Sequence, residues 1–199
     1  MPNAKIIPND SYNHPMQINT KTGLLNECKQ CSSPNSDDRP ENTAVDLIVV
    51  HSISLPPGEY GGDSIEQFFQ NKLDKNAHSY FEEIHELQVS SHILIKRSGE
   101  VVQFVPFHER AWHAGQSNYQ GRERCNDFSI GIELEGTDSE NFEEIQYQQL
   151  AQVISSLRPA YPAIADNITG HSDISPGRKK DPGSGFDWDK LKSTLSTIG

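Results

Sequence analysis

The chain has 199 residues, with 17 Lys and Arg against 28 Asp and Glu, which gives a formal net charge of −11 at pH 7. This length favours one domain with a sizeable core. The acidic balance argues against a general nucleic-acid-binding protein, because such a protein needs a positive field for a polyanion. Apolar runs fall short of the ~18 residues that a membrane-spanning helix requires, so we expect no membrane partner.

The amino-terminal part of the chain is polar. Residues 1–44 contain few large apolar side chains and are interrupted by prolines, so most of them are expected to form an extension beside the domain. The first residues lack the ~7 to 15 residue apolar stretch of a secretory signal, and three cysteines do not form a disulfide framework. We therefore expect a cytoplasmic protein.

Two of the cysteines stand in a C-x-x-C arrangement at Cys28 and Cys31. This spacing suggests zinc or redox chemistry, but no second cysteine pair accompanies it and no βαβ pattern lies beside it. The preferred interpretation is two ordinary thiols in a mobile segment.

The first regular element begins after residue 44. Residues 45–51 are a nearly continuous apolar run rich in β-branched side chains, which predicts a strand covered on both faces and ending near His51. A Pro- and Gly-rich loop follows over residues 55–62. Ser64 followed by Gln67 then resembles a capping box, with apolar residues at helical spacing up to Leu73.

The middle of the chain predicts further strands and one long helix. Residues 91–96 and 101–105 flank a tight turn and predict a β-hairpin. Residues 128–135 alternate, so that Glu133 and Glu135 share one strand face. Helical spacing over residues 142–157, ended by Pro159, predicts the longest helix. The expected fold class is α/β, a single domain with a central mixed β-sheet flanked by helices.

Three residues could form a hydrolytic metal site. His51 stands where a buried strand gives way to a loop, and His171 and Asp181 lie in a loop-rich stretch dense in ionisable groups. Three such ligands with a fourth, open position are typical of catalytic zinc. Their separations match no short zinc motif, and for each histidine taken alone the preferred interpretation is a surface or satisfied core residue.

Other polar residues also have two interpretations. Glu133 is either a solvent-facing acid on a half-exposed sheet or an inward general base. Lys179 is a solvated charge or, beside a metal site, a group that stabilises a developing oxyanion. Trp112 and His113 lie in a loop that is either a stacking platform for a sugar or peptide, or a packed anchor.

Four segments in a fixed order resemble a known family. They are residues 51–62 (HSISLPPGEYGG), 110–115 (RAWHAG), 119–138 (YQGRERCNDFSIGIELEGTD), and 170–174 (GHSDI) with 178–183 (RKKDPG). Together they resemble the AmpD-type 1,6-anhydro-N-acetylmuramyl-L-alanine amidases, a branch of the zinc N-acetylmuramoyl-L-alanine amidases related to phage T7 lysozyme and the peptidoglycan recognition domains. The resemblance runs from about Ser33 to Trp188. It implies an amidase domain at residues 33–199 and a polar, flexible extension at residues 1–32.

The resemblance also implies site residues. His51, His171 and Asp181 would hold one zinc ion (Zn2+), Glu133 would be the catalytic acid/base, and Lys179 its partner at the oxyanion. The expected substrate contacts are Ser52, Trp112, His113 and Arg124. Among them, Arg124 is expected to bind a peptide carboxylate, because a forked guanidinium suits that group.

The implied reaction is hydrolysis of the amide between 1,6-anhydro-N-acetylmuramic acid and L-alanine in cytoplasmic peptidoglycan recycling, with an influence on β-lactamase induction where such a circuit exists. The expected partner is a small-molecule muropeptide, with no nucleic acid and no membrane, and the protein is expected to be a monomer.

The chain departs from the family pattern at three positions. Ser52 stands where the family often has Asn, Gln88 where it often has a basic residue, and Ser172 where it often has Cys. Ser52 and Gln88 could alter how the sugar or the peptide is held. Two alternatives remain open: a non-catalytic module that binds muropeptides, and an exported amidase that acts on the intact cell wall.

Overall fold

A six-stranded mixed β-sheet lies at the centre of the computed structural model, which describes residues 16–198. The strands are β1 (Ile18–Asn19), β2 (Leu24–Leu25), β3 (Lys29–Gln30), β4 (Ser36–Asp38), β5 (Leu47–Ile53), β6 (Ile93–Ile95), β7 (Val101–Gln103), β8 (Glu109–Ala111), β9 (Asn118–Tyr119), β10 (Arg122–Glu123), β11 (Ser129–Glu135) and β12 (Ile168–Gly170). The helices are α1 (Ser64–Phe69), α2 (Ser79–Ile84), α3 (Glu144–Ala160), α4 (His171–Ile174) and α5 (Trp188–Ile198). Among the helices of residues 16–198, none is long and apolar enough to cross a membrane.

The strand order of the main sheet is β12-β5-β11-β6-β7-β3. All neighbours in it are parallel except β6 and β7, which form the predicted antiparallel hairpin. Apolar side chains of α3 and α5 pack with the sheet in one core cluster, and those of α1 and α2 join a second cluster with β6 and β7. This arrangement confirms the predicted α/β class with a mixed sheet flanked by helices.

The predicted strand at residues 45–51 is β5, which begins and ends two residues later than expected. Because it lies between parallel β11 and β12, both its faces are covered, as the apolar run predicted. Ile48 and Val50 pack in the cluster with α3 and α5, while Leu47 and Val49 pack in a separate cluster on the opposite face. Alternation puts His51 on the same face as Leu47 and Val49.

Helix boundaries differ from the sequence pattern in two places. The predicted capping box at Ser64 is wrong, because Asp63 is the N-cap residue and makes no side-chain cap hydrogen bond. A capping box instead forms at the start of α3, between Glu143 and Gln146. Helix α3 continues through Pro159 to Ala160, since a proline in the last turn removes one backbone donor without ending the helix there.

Residues 16–32 pack on the domain, which differs from the flexible extension expected for residues 1–32; residues 1–15 lie outside the described range. Strand β3 pairs with β7 at the edge of the main sheet. Leu25 is 2% exposed within the main core cluster. The buried Gln103 side chain accepts a hydrogen bond from the Leu25 N–H (2.7 Å) and donates one to the Gly23 carbonyl (3.0 Å). One buried leucine and one buried amide thus hold a segment whose composition is otherwise polar.

The cysteines at positions 28 and 31 flank β3 in this packed segment, and both are free thiols. Burial raises the pKa of the Cys28 thiol to about 11, so this side chain is protonated at neutral pH. A protonated, half-buried thiol is unreactive, because the thiolate is the nucleophile and metal ligand.

We expect Leu25→Ala to lower the free energy of unfolding by about 2 to 5 kcal/mol, because it opens a cavity beneath the amino-terminal segment. Chemical denaturation of the full chain measures this change. The matched control is Ile198→Ala at a 41% exposed position, where less than about 0.5 kcal/mol is expected. Equal effects of the two substitutions would show that the segment does not pack as described.

Candidate metal centre and active site

The site forms where three neighbouring parallel strands end. His51 lies near the carboxyl end of β5, and the register of β5 with β11 pairs it with Glu133. Strand β12 ends at Gly170, paired with Val50, so that His171 follows directly beside His51. The carboxyl ends of parallel strands are where α/β sheets generally bind ligands.

Three side chains converge at this edge. The Nδ1 atoms of His51 and His171 are 3.0 Å apart, and each lies 3.0 Å from Oδ2 of Asp181. Both histidines are buried, and the Asp181 side chain is 17% exposed. The backbone of Asp181 is fixed to the same region, because its carbonyl accepts a hydrogen bond of 2.8 Å from the Ser172 N–H. The three residues proposed from the sequence as metal ligands therefore meet at one point.

The Nε2 atoms of both histidines, which point away from the centre, contact two consecutive residues of one loop. His171 Nε2 lies 3.0 Å from the Ala114 carbonyl, and His51 Nε2 lies 2.9 Å from Nδ1 of His113. The N–H groups of residues 113 and 114 both donate to Oδ1 of Asn126, at 3.1 and 2.8 Å. The loop is thereby fixed relative to the sheet, and with it the orientation of both rings.

The donor chemistry fits a metal cation. Since the Ala114 carbonyl can only accept, His171 Nε2 is the donor in that contact, and Nδ1 is the ring nitrogen that faces the centre. Burial lowers the pKa of His51 to about 4, so its ring is neutral at neutral pH. Two imidazole nitrogens and one carboxylate oxygen thus face one another at spacings close to the ~3.3 Å expected between ligands of tetrahedral zinc.

Glu133 is buried beside this centre without a partner. It is 8% exposed, and its Oε2 has no hydrogen-bond partner among residues 16–198. Burial, and then the charge of Asp181, raise the pKa of Glu133 well above its ordinary value, while Lys179 opposes the shift. A carboxyl group with a raised pKa in a cleft can both take and give a proton near neutral pH.

Glu135, which shares a strand face with Glu133, is held quite differently. Its Oε1 accepts a hydrogen bond of 2.6 Å from the Gly61 N–H, and its Oε2 accepts one of 3.0 Å from the Arg97 N–H. Glu135 therefore ties two loops to the sheet, and it does not line the cavity at the metal centre.

A cavity of about 470 Å3 opens beside the three ligands. Glu133, Lys179 and Ser52 line it, and Lys179 is exposed to solvent. One wall is apolar and is formed by Leu55, Pro57, Phe68, Phe69, Tyr80, Ile84, Leu87 and Val89. The lining also includes the polar and charged residues Thr137, Asp138, Lys179 and Lys180. The exposed Gln88 stands between two residues of the apolar wall.

Trp112 also lines the cavity, and the amino-terminal part of the domain holds it there. Its indole Nε1 donates to Oδ1 of Asp37 at 3.2 Å. Asp37 lies on β4 and is bound by both Nε and Nη2 of Arg110, at 2.6 and 2.5 Å, while Nη1 of Arg110 reaches Asp127 at 2.6 Å. Such forked charge-assisted hydrogen bonds fix geometry well. No local pattern marks Asp37 as a site residue, because Arg110 and Trp112 are more than 70 residues away along the chain.

Arg124 is not brought into this cavity. Its side chain is 70% exposed, forms an ion pair of 3.3 Å with Asp127, and lines a separate cavity of about 390 Å3 together with Arg178. A role for Arg124 in holding a peptide carboxylate stays a prediction. Arg178 has an unpredicted role: its Nη2 donates to the Ala114 carbonyl at 2.6 Å and so supports the loop behind His171.

Comparisons with known proteins agree with this architecture. Residues 41–184 match the family described as N-acetylmuramoyl-L-alanine amidase. The chain is 57% identical over 174 residues to the 1,6-anhydro-N-acetylmuramyl-L-alanine amidase AmpD of Salmonella typhimurium, covering 87% of this chain and 93% of that protein. It also matches a crystal structure of an AmpD derivative with a TM-score of 0.86 and 56% identity, over 87% of this chain and 97% of that one.

The chain belongs to the N-acetylmuramoyl-L-alanine amidase family, and within it to the AmpD type. The family resemblance expected from the sequence is thus confirmed. A more distant match is a complex of AmiD from E. coli with the substrate anhydro-N-acetylmuramic acid-L-Ala-D-gamma-Glu-L-Lys, at a TM-score of 0.55 and 30% identity, over 78% of this chain and 60% of that one.

We expect Glu133→Gln to stabilise the metal-free protein at neutral pH. Burial raises the pKa of Glu133 in the folded state, so ionising this group lowers the free energy of unfolding. This loss of stability is absent below the pKa of the unfolded state, about 4.3, and grows as the pH rises above it. The melting temperature of the variant should exceed that of the parent near pH ~8, and the difference should shrink as the pH falls towards ~4.5.

Glu135→Gln is the matched control, since it replaces a carboxylate that accepts two backbone hydrogen bonds. We expect this variant to be less stable than the parent near neutral pH. A Glu133→Gln protein that melts below the parent at pH ~8 would mean that the Glu133 carboxylate is favourably solvated or paired in the folded state.

Proposed function

We propose that this protein is a zinc-dependent amidase that cleaves the bond between 1,6-anhydro-N-acetylmuramic acid and L-alanine of muropeptides, in cytoplasmic peptidoglycan recycling. The observation that carries the proposal is a buried, unpartnered carboxyl group, Glu133, placed by strand register next to a centre of two imidazoles and one carboxylate. Membership of the AmpD type supports the choice of substrate.

His51, His171 and Asp181 would hold the zinc ion, with a fourth position open to the cavity. Zinc bound at such a centre acidifies an attacking water and polarises the carbonyl of the scissile amide. A ligand set of two imidazoles and one carboxylate would bring only one negative charge to the ion, so the bound zinc would keep Lewis acidity for this purpose.

Glu133 would move the proton. Its carboxylate form takes a proton from the attacking water, and the resulting acid donates it to the nitrogen of the departing L-alanine. Because no residue in the described range 16–198 hydrogen-bonds its Oε2, none of them competes for this oxygen. Lys179, exposed on the same cavity, would face the negative charge that develops on the carbonyl oxygen.

The cavity suits a substrate with an apolar face and a charged end. Trp112, held by Asp37, offers an aromatic surface for the anhydrosugar, while Lys179 and Lys180 lie on the side where peptide carboxylates would be attracted. Ser52 lines the cavity next to His51 and would contact the substrate near the reacting amide. The family relative AmiD of E. coli was crystallised with an anhydromuropeptide, which supports the same ligand class here.

A non-catalytic muropeptide-binding module is the weaker alternative, because a pure binding site has no need for a buried carboxyl group without a partner beside three metal ligands. For the location, the free cysteines fit a reducing compartment. We further propose that the enzyme acts as a monomer, since the cavity and all proposed site residues belong to one chain.

The decisive experiment is an amidase assay of the purified protein on anhydromuropeptide. We expect hydrolysis that stops after treatment with a chelator and returns when zinc is restored, because Lewis-acid assistance is lost with the metal. Polymeric peptidoglycan, tested in parallel, should be cleaved much more slowly. Binding of the muropeptide without cleavage would favour the non-catalytic alternative, and preferred cleavage of the polymer would favour an exported amidase.

Glu133→Ala tests the acid/base role. We expect the variant to bind zinc and to fold, while its kcat falls by about 10² to 10⁴. Glu135→Gln is the control, because that residue lies on the same strand face but outside the cavity, and its kcat should stay close to the parent's. If Glu133→Ala keeps near-parental activity, the proton is carried by another group.

A further inference from the structure

The two histidines of the metal centre are anchored by different kinds of partner. His171 Nε2 lies 3.0 Å from the Ala114 backbone carbonyl, which can only accept. His51 Nε2 instead faces another imidazole, Nδ1 of His113, at 2.9 Å. An imidazole nitrogen can donate or accept, so the tautomer of His51 depends on what His113 contacts next.

A chain of hydrogen bonds beyond His113 fixes the direction of that contact. Ser129 Oγ donates to the Cys125 carbonyl at 2.5 Å, and this carbonyl has no proton to give. The serine oxygen is then left to accept from His113 Nε2, 3.1 Å away. A neutral His113 that donates from Nε2 has its lone pair on Nδ1, where it accepts the proton of His51 Nε2.

We propose that His113 is a positioning residue that locks His51 in the tautomer whose Nδ1 lone pair faces the metal centre. This role uses both ring nitrogens of His113 inside the protein. His113 also lines the cavity, and the substrate contact expected from the sequence stays a prediction. The inference rests on the proposed zinc site, and it concerns the affinity for zinc rather than the choice of substrate.

The surroundings keep the His113 ring in place. The ring lies on the bare backbone of β11 at Gly131, where an added Cβ would come within 2.4 Å of Cγ of His113. The residue is 9% exposed, and its backbone N–H is held by Asn126. Because the His113 ring is already fixed, little further conformational entropy is lost when it orients His51. Hydrogen bonds from neighbouring residues to metal-binding histidines typically contribute 10- to 100-fold in metal affinity.

The test measures zinc affinity by competition with a fluorescent chelator, for the full-length protein, four single variants and the double variant of positions 113 and 129. His113→Phe keeps a planar ring but removes both nitrogens, and His113→Asn returns an acceptor oxygen at about the place of Nδ1. Ser129→Ala removes only the hydroxyl group that accepts the hydrogen bond from His113 Nε2. His108→Phe, at an exposed position outside the cavity, is the matched control.

We expect His113→Phe to weaken zinc binding by about 10- to 100-fold, and His113→Asn to recover most of the loss. Ser129→Ala should weaken zinc binding less than His113→Phe does. In the double variant it should add little to the effect of His113→Phe, since both residues belong to the same series of hydrogen bonds. His108→Phe should bind zinc as the parent does. The inference is overturned if His113→Phe binds zinc within about 2-fold of the parent, or if the effects of positions 113 and 129 simply add.

Melting curves of the metal-free variants separate loss of affinity from loss of fold. Should His113→Phe fail to fold, nitrogen-15 NMR of the parent decides the question: we expect His51 to be protonated at Nε2, with a coupling to Nδ1 of His113 across the hydrogen bond. Protonation of His51 at Nδ1, or a parent protein that binds no zinc, overturns the inference. A parent that binds zinc through this tautomer but hydrolyses no muropeptide refutes the proposed function alone.

Discussion

The parallel register of β5 and β11 is the constraint on which the site depends, because it sets Glu133 directly beside His51. Side chains alternate along a strand, so a slip of one residue would turn Glu133 towards α3 and α5 and bring an apolar neighbour to the centre. The apolar residues of both strands oppose that slip, since Ile132 and Val50 are fully buried in the core cluster on the other face. The packing of the core thus determines where the acid meets the metal ligands.

The loop of residues 112–115 carries the second part of the site. It presents Trp112 to the cavity, His113 to His51 and the Ala114 carbonyl to His171. Each contact needs the loop at one position, and Asn126 and Arg178 hold it there by binding the N–H and the carbonyl of Ala114. One short segment therefore aligns both imidazoles and the aromatic wall, so that substrate binding and metal geometry depend on the same anchor.

The strands of the sheet could be predicted because apolar periodicity is local, and β5, β6, β7 and β11 all overlap the predicted residues, with ends that differ by up to two residues. The packing of Leu25 could not be predicted, since its hydrogen-bond partner Gln103 is 78 residues away and the residues around Leu25 are mostly polar. Spacing alone did not identify the metal ligands; the family resemblance named them. The contact between His113 and His51 was also hidden, because it depends on a ring lying against the missing side chain of Gly131.

The contrast between Glu133 and Glu135 shows how one strand face serves two purposes. Both acids are buried on β11, yet Glu135 accepts two backbone N–H groups, whereas Glu133 has an oxygen with no partner among the described residues. A buried carboxyl group with satisfied hydrogen bonds contributes to stability, while one left without them is unfavourable to fold. The unpaired oxygen is also the one that is free to exchange a proton with a substrate. The fold therefore tolerates a local loss of stability at Glu133 because the fully covered strands around it supply enough apolar burial to offset it.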